Sequence, residues 1–154
     1  MTDTVTAYVA LGANLGDPVA AIAAAFEALG GLPDTRLVQR SPLYRTAPVD
    51  SSGPDYVNAV AEIATRLEPL ALLQALQAIE TDAGRTRPWQ NAPRTLDLDL
   101  VLYGDRTIAL PTLTVPHPRM ADRAFVLRPL QDIAPHRVSA AQLARVADQR
   151  IDKM

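Results

Sequence analysis

Arg94-Thr95-Leu96-Asp97-Leu98-Asp99-Leu100-Val101-Leu102-Tyr103 alternates polar and apolar residues and then becomes wholly apolar. That pattern reads as a β-strand entering a buried core. Side chains in a strand repeat every second residue, so Asp97 and Asp99 share one face while Leu96, Leu98 and Leu100 take the other. Two carboxylates about 7 Å apart on one strand face repel each other. A hard divalent cation with oxygen ligands relieves that repulsion, and Mg²⁺ carrying a polyphosphate is the usual form of it. The plain alternative is a solvated strand face lined with aspartates. Arg85, Arg87, Arg94, Arg119 and Arg123 stand close by in sequence, and this many guanidiniums suits a triphosphate better than an ordinary surface.

Outward from this strand, an α+β pattern emerges. Upstream, Pro69 opens a helix with an apolar stripe of Leu72, Leu73, Leu76 and Ile79, ended by Gly84. Glu80 falls late in that helix, where a negative charge opposes the helix dipole, a small cost that marks it as wanted for something else. Arg85–Pro93 reads as an irregular loop. Further back, Tyr56–Thr65 alternates as a strand, with Val57, Ala59, Ala61 and Ile63 on one face and Tyr56, Asn58, Val60 and Glu62 on the other. A turn-rich loop, 46–55, precedes it. Leu37–Arg45 is another strand, with Ser41-Pro42 marking an edge or bend. Val5–Leu11 is the first strand, and Asp17 with Pro18 opens a helix that stops at Gly30-Gly31. Downstream of the aspartates come a proline-punctuated stretch, a helix over Arg123–Asp132, and a short helix capped by Ser139. The order β-α-β-β-α-β predicts a ferredoxin-like sandwich, an antiparallel sheet with helices packed on one side and two long catalytic loops.

Composition narrows the function. The 154 residues are expected to form a single domain spanning 1–154. A formal charge of −2 argues against a general nucleic-acid binder. There is no cysteine, which removes thiolate metal sites and cysteine nucleophiles. No signal-peptide pattern and no membrane-length apolar run is present, so a cytoplasmic protein is expected.

Other residues carry chemistry of their own. Asn58 can read the amide edge of a planar heterocycle, and Tyr56 or Phe125 can stack on its ring. His117, fixed between Pro116 and Pro118, can donate to a phosphate or act as an acid or base. Each also has an ordinary role as a strand-face or core residue. The Gly12–Gly16 turn lacks the lysine of a Walker loop and the spacing of a dinucleotide fingerprint.

In order along the chain, Val9–Leu15, Tyr44–Pro48, Pro54–Ala59, Pro93–Asp99, Leu113–His117, Arg123–Leu130 and Ile133–Pro135 resemble the segments of 6-hydroxymethyl-7,8-dihydropterin pyrophosphokinases. The resemblance implies transfer of diphosphate from ATP to the pterin's hydroxymethyl group, with AMP released, in folate biosynthesis. It further implies two Mg²⁺ ions held by Asp97 and Asp99, and Arg85 and Arg94 in the catalytic set. The ATP-binding residues it implies are Glu80, Arg85, Arg87, Arg94, Thr114, His117 and Arg123. For the pterin they are Thr46, Ala47, Pro48, Val49, Tyr56, Asn58 and Phe125. ATP and the pterin are the expected partners, with no nucleic acid, no membrane and a monomeric chain. Three positions depart from the family pattern: Gln90-Asn91-Ala92 before Pro93 with Trp89 shifted upstream, Thr112 in place of an arginine, and Pro118 in place of an aromatic residue. A metal-dependent phosphohydrolase using Asp97 and Asp99 to activate water is the alternative enzyme, but the chain lacks the histidine-rich ligand set such hydrolases often use. A ligand-binding regulatory module would need neither the paired carboxylates nor the arginines.

Overall fold

The computed structural model describes residues 3–47, 54–84 and 96–154. In chain order the elements are β1 (Val5–Ala13), α1 (Pro18–Gly30), β2 (Thr35–Arg40), β3 (Tyr44–Thr46), β4 (Tyr56–Thr65), α2 (Pro69–Gly84), β5 (Asp97–Tyr103), β6 (Ile108–Leu110), β7 (Leu113–Val115), α3 (Ala124–Ile133), α4 (Ala140–Arg145) and β8 (Asp152–Lys153). The main sheet runs β5-β1-β4-β3-β8, with β2 also paired to β4, and its pairings are antiparallel. This is the antiparallel α+β sandwich that the sequence predicts.

The stretch Leu37–Arg45 splits into two strands because Ser41 diverts the chain. The Ser41 backbone N–H donates to the Val60 carbonyl at 2.9 Å, its hydroxyl accepts from the Val60 N–H at 2.9 Å and donates to the Pro42 carbonyl at 2.8 Å. A proline next door cannot donate to a ladder, so β2 and β3 lie in line along one edge of β4 instead of forming one strand.

Two cores form, one on each face of the sheet. Ala7, Val9, Leu11, Val57, Ala59, Ala61, Ile63, Leu98 and Leu100 pack against Ile22, Phe26 and Leu29 of α1 and Leu72 and Leu76 of α2. Tyr8, Ala10, Val60, Val101 and Leu102 pack against Val126, Leu127 and Leu130 of α3. The sequence pattern places helices on one side of the sheet; α3 adds a layer on the other, which is why Val60, on the more polar face of β4, is fully buried. A bulge in the β1–β5 pairing between Tyr8 and Val9 puts Val101 and Leu102 into the same core. Beyond it the alternation is out of phase, and Tyr103 turns to the α1/α2 side, where its hydroxyl donates to the Leu67 carbonyl at 2.5 Å.

Two small features escape the sequence pattern. The β6–β7 hairpin lies inside the proline-punctuated stretch, and β8 adds to the edge at β3. Strands of two or three residues are too short to show alternation. Helix starts, by contrast, follow the local signals. The Asp17 carboxylate accepts from the Ala20 N–H at 3.1 Å, and Ser139 with Gln142 forms a reciprocal capping box on α4.

Candidate active site

The α3 face of the sheet is not covered along its whole length. Toward the end of β1 it opens into a cavity of about 250 Å³ lined by Ala10, Leu11, Gly12, Thr46, Ala47, Tyr56, Asn58, Asp97, Asp99, Arg123 and Phe125. Strand register explains how residues so far apart in sequence meet. Gly12 of β1 stands opposite Asp97 of β5 on one side and Asn58 of β4 on the other, and Ala10 stands opposite Asp99. Asn58 is in turn opposite Tyr44 of β3, two residues before Thr46. One row across the sheet thus runs from a carboxylate through a glycine to a carboxamide.

Asn58 is buried, and its Nδ2 donates to Thr46 Oγ1 at 2.8 Å. That bond holds the carboxamide against β3. Gly12 gives it room, for a Cβ at this position would lie 3.2 Å from Asn58 Oδ1. The glycine belongs to the strand and not to a phosphate-cradling turn. With Ala10 it lines the cavity on the α3 face, a role that their small size allows and that single positions of the sequence do not reveal; the Leu11 side chain packs into the core on the other face.

Also in the lining, the Arg123 guanidinium lies 5.3 Å from the centre of the Phe125 ring. A cation over an aromatic face is held in place without losing its charge. Asp97 and Asp99 are exposed on the cavity side of β5 while Leu98 between them is buried. Among the described residues β5 is an edge strand, and the Leu98 N–H donates to Glu80 Oε2 of α2 at 2.9 Å. The acidic residue late in α2 therefore ties the helix to the strand between the two aspartates.

His117 is half-buried. Its backbone N–H donates to the Val101 carbonyl at 3.0 Å, and its Nδ1 accepts from the Arg119 N–H at 3.2 Å. Burial pushes the imidazole below its ordinary pKa; Asp99 pulls it back up, and Arg123 and Arg119 lower it further. An Nδ1 that accepts leaves the proton of the neutral ring on Nε2, so this side chain is a neutral donor. The neutral form is favoured in the fold, so its contribution to stability is complete above the ordinary imidazole pKa and is lost as pH falls from there toward the folded value. In an NMR titration of the metal- and nucleotide-free protein, the His117 midpoint is expected below that of a free imidazole. Asp99→Asn should lower it further and Arg123→Ala should raise it; a midpoint above the free value would contradict this account.

Thr114, Glu80 and His117 stand apart from the cavity lining. Pro48, Val49, Arg85, Arg87 and Arg94 lie outside the described residues. No group of three or more metal-binding side chains occurs among the described residues. Two aspartates alone suit Mg²⁺, which keeps waters and shares its coordination with substrate phosphates rather than demanding a full protein cage.

The decisive comparison is with protein families. Residues 8–135 match the model of the 7,8-dihydro-6-hydroxymethylpterin-pyrophosphokinase family. The chain belongs to that family. A Pseudomonas aeruginosa relative named 2-amino-4-hydroxy-6-hydroxymethyldihydropteridine pyrophosphokinase is 54% identical over 129 residues, covering 83% of this chain and 80% of its own length. A Haemophilus influenzae pyrophosphokinase of the same name is 49% identical over 131 residues, covering 84% and 82%. Among solved structures, a Plasmodium falciparum HPPK-DHPS triple mutant superposes with a TM-score of 0.71 at 14% identity. It covers 96% of this chain, which spans 45% of that longer one, and the likeness supports the fold of the pyrophosphokinase domain. The matched span contains every residue of the cavity.

Proposed function

We propose that this pyrophosphokinase-family protein transfers diphosphate from ATP to 6-hydroxymethyl-7,8-dihydropterin, a step of folate biosynthesis. The observation that carries the reading is the shared cavity. A buried carboxamide bonded to Thr46, with Tyr56 and Phe125 in the same lining, suits a planar heterocycle, and two carboxylates with a guanidinium in that lining suit a metal polyphosphate.

In this reading the pterin lies over Gly12, its amide edge on Asn58, with Thr46, Ala47, Pro48 and Val49 as the surrounding loop. Asp97 and Asp99 would hold two Mg²⁺ ions, which supply charge neutralisation on the phosphates and lower the pKa of the alcohol. Arg123, Arg85 and Arg94 grip the triphosphate, with Glu80, Arg87, Thr114 and His117 on the nucleotide side. The hydroxymethyl oxygen attacks the β-phosphorus in line, the bond from that phosphorus to the oxygen bridging it to the α-phosphate breaks, AMP leaves, and the hydroxyl proton is lost. Selection of the β- over the γ-phosphorus is a matter of positioning, since both are electrophilic. Asp97 and Asp99 are poor general bases while bound to metal, and Tyr56 and Phe125 bind and orient without taking part in proton transfer. We also read the enzyme as a cytoplasmic monomer of one domain; the lack of cysteine suits a reducing compartment.

The test is an AMP-release assay with ATP, Mg²⁺ and the pterin. AMP should appear only when the pterin is present, in equal amount to the diphosphorylated pterin. ADP or free phosphate as the product would replace this reading with γ-transfer or hydrolysis.

A further inference from the structure

Arg123 occupies the N-cap position of α3 but does not cap it: no side chain at that position bonds the helix's first N–H groups. Ser, Thr, Asp or Asn would normally stand there. A guanidinium carries donors only and cannot accept from those N–H groups, and the Arg123 side chain instead lines the cavity and packs on Phe125. The missing cap comes from 25 residues away. Gln149 Oε1 accepts from the Ala124 N–H at 2.9 Å, and its Nε2 donates to the Asp122 carbonyl at 2.8 Å.

These two bonds hold the peptide groups on either side of the Arg123 Cα. One belongs to the Asp122–Arg123 peptide and the other to the Arg123–Ala124 peptide, so a single carboxamide restrains both dihedrals of Arg123, at φ −127 and ψ 110. Gln149 is itself anchored. Its N–H donates to the carbonyl of Val146, a residue buried in the α3-side core, at 3.0 Å. Arg145 of the same segment pairs with the Asp122 carboxylate at 3.1 Å. The segment that carries both residues lies beyond residues 8–135, the span of the family match.

We propose that Gln149 is a positioning residue for catalysis: it fixes the backbone around Arg123 and thereby aims the guanidinium into the cavity. The proposal rests on reading Arg123 as a phosphate-gripping residue. A guanidinium sits at the end of a long side chain, so a small rotation of its backbone displaces it by an ångström or more. Displacements of that size in a positioned catalytic group cost up to about a hundredfold in rate.

The experiment is a double-mutant cycle on AMP release with Gln149→Ala, Arg123→Ala and the pair, thermal midpoints being measured on all four proteins. Gln149→Ala is expected to lower kcat about tenfold while the pterin KM stays within about twofold. In the Arg123→Ala background the same change should cost less than about twofold, because the group it positions is gone. Mere loosening of α3 would lower the midpoint and the rate alike in both backgrounds. Gln149→Glu keeps the oxygen that accepts from Ala124 and loses the donor to Asp122; it should fall between wild type and Gln149→Ala, and it serves the cycle if the alanine variant does not fold. Unchanged kcat in both Gln149 variants, or an equal loss in both backgrounds, overturns the proposal. An Arg123→Ala enzyme as fast as wild type would overturn the reading of Arg123 itself, and the proposal with it.

Discussion

Replacing Asp97 by alanine is expected to lower pterin-dependent AMP formation about a thousandfold, a loss of about 4 kcal/mol of transition-state stabilisation. The reason is local. Asp97 and Asp99 sit two residues apart on the exposed side of an edge strand, at the wall of the cavity that also holds Asn58 and Arg123. Under the proposed function these two carboxylates would hold the metal, and no third metal-binding side chain is grouped with them among the described residues. In the proposed reading, removing one leaves a single carboxylate to hold the Mg²⁺ that neutralises phosphate charge. Mg²⁺-dependent binding of a non-hydrolysable ATP analogue should weaken in parallel, while the thermal midpoint stays close to wild type because Asp97 is exposed. A variant that keeps more than about a tenth of the rate would remove Asp97 from the metal-binding role.

A second large effect is expected at a residue with no side chain. Gly12→Val should weaken pterin binding by about a hundredfold or more while leaving the fold intact. Gly12 is an interior strand residue between Asp97 and Asn58, and even a single Cβ there would press on Asn58 Oδ1 at 3.2 Å. Two further methyl groups would enter a cavity of about 250 Å³ whose floor this residue forms. Its backbone needs no positive φ, and valine suits a β-strand, so the cost falls on the cavity and not on the sheet. Fluorescence titration with the pterin, beside a thermal melt, separates the two. Normal affinity in the valine variant would show that the ligand does not lie over Gly12. A collapsed melting temperature would show that the residue's role is in the fold.

The strand Asp97–Tyr103 shows how far local pattern reaches. Its alternation gave the shared face of Asp97 and Asp99 and the burial of Leu98 and Leu100, because the two-residue repeat of a strand is fixed by backbone geometry. The same alternation could not place Val101 and Leu102 together, since the bulge arises from pairing with β1. Asn58 was legible as a residue able to read a heterocycle. That it bonds to Thr46 is a consequence of β3 lying against β4. Glu80 stood out for its cost to the helix, yet its bond to the Leu98 N–H depends on β5 standing at the sheet's edge among the described residues.

The sequence by itself determined the elements with strong local signals, α1 with its Asp17 cap, the long β1 and β4, the aspartate strand, and the family to which the chain belongs. Local backbone preferences and ordered motifs are properties of neighbouring residues, so they are written along the chain. Only the tertiary structure decided that α3 covers the second face of the sheet, that Gly12 is the floor between a carboxylate and a carboxamide, and that Gln149 caps the helix Arg123 leaves uncapped. Those are relations between residues far apart in sequence, and strand register and packing fix them only when the whole chain has folded.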